Sequence, residues 1–161
     1  MQNSPFFPVG MVPVSILEPA ADAAGRTGAW ISLKGIRRVW LFFYCNQANA
    51  ATIAVTVNQA SAVAGTGSKA ITVSVPIWTN LTANTASVFA RATDAVSYTT
   101  AAGTNKKILI FEIDPATLDT ANNFDCITMI TGASNVANIT SAFAVLEPRM
   151  AQATQIDAMI D

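Results

Sequence analysis

The chain has 161 residues, enough for one domain with a core of its own; 52% are hydrophobic and only 12% charged, about half of the roughly 25% usual in soluble domains. Nine Lys+Arg against ten Asp+Glu leave a net charge of −1, so no basic field collects a polyanion and direct nucleic-acid binding is not expected. Histidine is absent, which removes the commonest general base and metal ligand and excludes a Ser-His-Asp or Cys-His arrangement.

The opening stretch, 1–19, "MQNSPFFPVGMVPVSILEP", is apolar but broken by Pro5, Pro8, Pro13 and Pro19, and no Lys or Arg precedes its hydrophobic part. It fits neither a signal peptide nor a membrane helix, and no unbroken apolar run approaches the roughly 18 residues that a span needs. Prolines favour an extended path, so Phe6, Phe7, Val9, Met11 and Val12 are read as contact residues of an amino-terminal arm that docks on the chain's own sheet or on a neighbour. "AADAAG" (20–25) is expected to form a single helical turn, and "AWISLK" (29–34) a strand.

Residues 37–46, "RRVWLFFYCN", string large apolar side chains without interruption. A strand over 38–45 would turn Val39, Leu41, Phe43 and Cys45 inward and Trp40, Phe42 and Tyr44 to the other side. The outward aromatic set needs a cover: a terminal arm, a loop, or another subunit. Arg37 and Arg38 are expected at a sheet edge, where charge discourages stray strand pairing, or against carboxylates of a neighbouring subunit.

"TIAVTV" (52–57) and "ITVSV" (71–75) alternate strictly and read as strands with one buried face. "SVFARA" (87–92), "AVSYTT" (95–100), "ILIFEID" (108–114), "FDCITMIT" (124–131) and "SAFAVLE" (141–147) continue the series to about nine strands. Turn formers separate them: Asn46 to Asn49, "AGTGS" at 64–68, "AAGTN" at 101–105, "TANN" at 120–123 and "GASN" at 132–135. "DPATLD" (114–119) is expected to make one helical turn with Asp114 as N-cap and Pro115 first. Residues 149–161 carry Met150, Ile156, Met159 and Ile160 in a weak helical pattern, the contact residues of a carboxy-terminal arm. Short strands with turns between them argue an all-β antiparallel sandwich, jelly-roll-like, over 20–148 between the arms 1–19 and 149–161.

Chemistry is sparse. "AGTGSK" (64–69) lacks the spacing of a phosphate loop. Glu112, Asp114 and Asp119 lie close together but "EIDPATLDTANN" lacks the ligand order of a calcium loop, and Asp119, Asn122, Asn123 and Asp125 form a looser oxygen-rich cluster. Cys45 and Cys126 stand far apart in apolar runs, as buried thiols, a disulfide or a reactive thiol. No cofactor, no metal site and no enzymatic activity are expected.

The segments "ADAAGRTGAWISLKGIRRVWLFFYCNQANAATIAVTVNQASAVAGTGSKAI", "ILIFEIDPATLD" and "FDCITMITGASNVANITSAFAVLEPRMAQA" resemble small virion proteins of tailed bacteriophages that decorate or cement the capsid. The resemblance spans roughly residues 20–153 and rests on strand patterns and turns such as "EIDP", "FDC" and "TGASN". It implies a β-sandwich or jelly roll made in the host cytoplasm and bound outside a head lattice, with the major capsid protein and its own copies as partners, as a dimer or trimer. It names no functional residue. A tail, neck or head–tail joining protein is the first competing expectation. A carbohydrate-binding module, with Trp30, Trp40, Trp78 and Tyr98 as stacking candidates, is the second.

Overall fold

In a computed structural model, which describes residues 10–150 and 154–160, the chain is an all-β sandwich of two antiparallel sheets. Twelve strands are present among the described residues: β1 (Val12–Ala21), β2 (Arg26–Thr27), β3 (Ile31–Ser32), β4 (Ile36–Gln47), β5 (Ala54–Ala60), β6 (Lys69–Ala70), β7 (Ile77–Asn80), β8 (Ala90–Arg91), β9 (Ser97–Thr99), β10 (Lys106–Ile113), β11 (Cys126–Thr131) and β12 (Asn138–Pro148). The larger sheet runs β1-β12-β4-β10-β7-β8 and the smaller β2-β11-β5-β6, with β3 also on β11 and β9 also on β5.

The pairing is that of a jelly roll. β1 pairs with β12, β2 and β3 with β11, β4 with β10, and β5 with β9, all antiparallel. The chain is thus one long hairpin whose successive pairs alternate between the sheets. The connection from β5 to β9 leaves this plan: it sends β7 and β8 across to widen the larger sheet beyond β10.

Alternation sets the core. Val39, Leu41, Phe43 and Cys45 of β4 are fully buried, with Leu109, Phe111 and Ile113 of β10 beside them and Ile53, Val55, Val57, Ile127 and Met129 on the smaller sheet. Within the stretch 1–19, residues 1–9, including Phe6, Phe7 and Val9, lie outside the described residues. Residues 12–19 belong to β1, which sends Val12, Ile16 and Leu17 into the core.

Several expectations are corrected. "ITVSV" (71–75) is a loop: Ile71 and Val75 are buried but Val73 is 45% exposed, and Val75 makes only a single bridge to Ala95. The chain bends after β6 and reaches Pro76, so two hydrophobes four residues apart plug the sandwich while the residues between them turn outward. Strand pairing resumes at β7, which the sequence reading missed. "AADAAG" forms no helical turn; it holds the end of β1 and the bend into β2. There Gly25, at φ +75°, packs so closely that a Cβ would sit 2.6 Å from the Thr131 carbonyl. "DPATLD" does cap a short 3-10 turn, Pro115–Thr117, in which Asp114 accepts the Ala116 amide. Arg37 and Arg38 lie on a central strand rather than an edge, and both pair within the chain, Arg38 with Glu112 at 2.7 Å and Arg37 with Glu147 at 3.2 Å.

Candidate functional site: the outer face of the larger sheet

Trp40, Phe42 and Tyr44 project from β4 away from the core. Register builds the rest of the surface around them. Phe42 lies opposite Phe143 of β12 on one side and Ile110 of β10 on the other, and Ile110 lies opposite Trp78 of β7. An unbroken apolar row therefore crosses four strands. One alternation step away, Val145 flanks Trp40; on the other side Ile108 flanks Tyr44. The Phe42 and Phe143 rings stack in parallel, 4.8 Å between centroids and 1° apart. Offset stacking of this kind adds about 1 kcal/mol to the burial of two rings.

Neighbouring side chains shield the flanks of this face but not its top. Trp40, Phe42, Ile108, Ile110, Trp78 and Val145 are half-buried, whereas Tyr44 and Phe143 are 36% and 45% exposed. Its polar border holds both signs. Arg38 and Glu112 pair at one end, and Arg91 lies over the Trp78 ring, 5.3 Å from its centroid.

The structure groups Trp40, Phe42 and Tyr44 on this one surface; Phe6, Phe7 and Val9 lie outside the described residues, and the remaining sequence-derived contact residues lie elsewhere. Val12 is fully buried in the protein's own core. Met11 is half-buried ahead of it, and Met150 is exposed just past β12. The carboxy-terminal residues turn back to the seam between the sheets, where the Ser32 amide donates to the Ala158 carbonyl. Ala158 is buried there, Ile156 packs on the core, and Met159 and Ile160 reach solvent. A groove lies between this segment and residues 12–15 of β1.

Phe143, Val145, Ile108 and Ile110 were not singled out from sequence, and Trp78 was named there only as a sugar-stacking candidate. The signal was available, since "ILIFEI" and "SAFAVLE" are apolar at positions of both parities, as "VWLFFYC" is.

The four sugar-stacking candidates do not converge. Trp40 and Trp78 lie on the outer face of the larger sheet, Tyr98 in β9 of the smaller, and Trp30 against Gly65. The Asp119 carboxylate receives the Lys69 ammonium and the Asn122 amide. These hydrogen bonds, Lys69's first, hold it below the usual carboxylate range.

Both cysteines are buried reduced thiols. Burial pushes the Cys45 thiol up to about 11 against the opposing pull of Lys107. Lys107, its cross-strand neighbour, is itself buried, and its ammonium donates to Gln47 Oε1 at 2.7 Å and to the Ala101 carbonyl.

The molecule is thus a jelly-roll domain whose core is complete and whose larger sheet turns a second apolar face outward. No family model matches the chain, and no curated protein matches it. Among solved structures it is similar to the crystal structure of the SPBc2 prophage-derived protein YomS, at 11% sequence identity over 85% of this chain and 93% of that one, with a TM-score of 0.47.

Proposed function

We propose that this protein is a non-enzymatic structural component of a phage particle, a head decoration or cement protein that binds the capsid exterior. Its partners are the major capsid protein and its own copies. It is made in the host cytoplasm and takes its place on the virion surface. The observation that carries the reading is the aromatic outer face of the larger sheet. Such a face, large, flat and rimmed by balanced charge, suits a protein contact. The resemblance of residues 20–153 to phage decoration proteins supplies the setting. The scarcity of charge suits close packing beside many identical neighbours, where multivalency adds avidity to modest contacts.

Add-back to purified heads that lack the protein tests this. Saturable binding to the head shell in many copies is expected. Binding confined to the tail or neck supports the joining-protein reading instead, and no binding to any part of the particle overturns a virion role.

A further inference from the structure

We infer that the outer face of the larger sheet is an isologous interface, occupied by the same face of a second copy of this chain. The inference rests on the contact-surface reading above and names the partner.

Area is the first argument. The five strands from β1 to β7, spaced about 4.8 Å, give a width of about 24 Å, and nine residues of β4 at about 3.4 Å each give a length of about 30 Å. Because β7 has only four residues, the footprint is about 600 Å², about three quarters of the roughly 800 Å² that each partner contributes to a standard interface. One copy of the face can therefore sustain a dimer without help from the termini.

Charge and shape are the second. A two-fold axis along the Phe143–Phe42–Ile110–Trp78 row lays Phe42 on its own counterpart and Trp40 over Tyr44. By the same alternation Lys106, two residues before Ile108, comes to lie over Asp114, two residues beyond Glu112. Aromatic meets aromatic and Lys106 meets Asp114, while Glu112 comes over Ile108 already paired with Arg38, and Arg91, in the axis row, meets its own counterpart with Asp94 neutralising each; the net charge of −1 leaves little repulsion between copies. The face is complementary to itself, as a closed two-fold contact requires.

Sedimentation equilibrium of the purified full chain tests this without any phage component. The wild type is expected to dimerise at micromolar concentration. Phe143→Glu and Tyr44→Glu, at positions 45% and 36% exposed and so tolerant of charge in the monomer, should each weaken association about 30-fold or more. Near-ultraviolet circular dichroism checks their folding. Phe42→Cys, on the axis, should be linked to its counterpart by a short bifunctional thiol reagent that spans the roughly 10 Å between packed sheets, since both native thiols are buried. A monomeric wild type, or a dimer that neither glutamate weakens, overturns the inference. A dimer that binds no phage head removes the virion reading and leaves this one standing; a monomer that decorates heads does the reverse.

Discussion

Lys107 is a charge-bearing group in the interior, and its neighbours explain how it is tolerated. Gln47 Oε1 accepts from both Lys107 and Thr100, while Gln47 Nε2 donates to the Ala51 and Ala101 carbonyls. Remove the lysine and each acceptor keeps another donor; remove the glutamine and Lys107 and Thr100 both lose a partner in a dry site. Lys107→Met should therefore change stability by less than about 1 kcal/mol, whereas Gln47→Leu should cost about 3 kcal/mol, both read from urea unfolding. The pH dependence has a definite sign. Burial lowers the Lys107 pKa below its usual 10.5 in the folded chain, so between the lowered value and 10.5 the unfolded chain binds the extra proton. Stability of the wild type relative to Lys107→Met should accordingly rise with pH through that window. Cys45, with its thiol pushed up to about 11 by burial, and the buried Cys126 should not react with a disulfide reagent at pH 8 until denaturant is added; rapid reaction of the native protein would contradict the packing of β4. None of this network was legible in the sequence, because the adjacent Lys106 and Lys107 at the start of "KKILIFE" look like a solvated strand end. Only the pairing of β10 with β4 puts Lys107 opposite Cys45.

At the scale of elements, long alternating runs were legible over most of their length, whereas the runs at 29–34, 87–92 and 95–100 each hold only a two- or three-residue strand. β4, β5, β10, β11 and β12 coincide with sequence-derived strands because each has a full face to bury. β2 and β6 are two-residue strands, too short to show a period, β7 follows directly on Pro76, and of the strand expected over 87–92 only Ala90–Arg91 pairs. The loop at 71–75 shows why alternation alone misleads: its hydrophobes are used four apart rather than two. β1 matters most for experiment. Val12, Ile16 and Leu17 are buried at 0%, 4% and 5% exposure, so deleting 1–19 removes an edge strand with its share of core and should abolish the folded domain. Ile16→Ala should cost about 3 kcal/mol. A cooperative transition surviving deletion of 1–19 would contradict the pairing of β1 with β12. Pro13 suits this position, since a strand at the edge of a sheet tolerates the missing amide and is blunted against further strand addition.

For the whole molecule, the sandwich class was legible from turn spacing and period, but the jelly-roll order is a matter of long-range pairing that no local pattern encodes. The outer apolar face was legible only in its β4 residues. "VWLFFYC" announced that β4 is apolar on both sides; that Phe143, Ile110 and Trp78 continue the row required the register. One sheet, apolar on both faces, makes the core with one and offers the other. The measurement that meets this claim most directly is a cryo-electron reconstruction of the particle that carries the protein. The account predicts jelly-roll density in many copies on the head exterior, with Phe42, Phe143 and Tyr44 buried against protein. The same domain standing on the shell with that aromatic face open to solvent would contradict it.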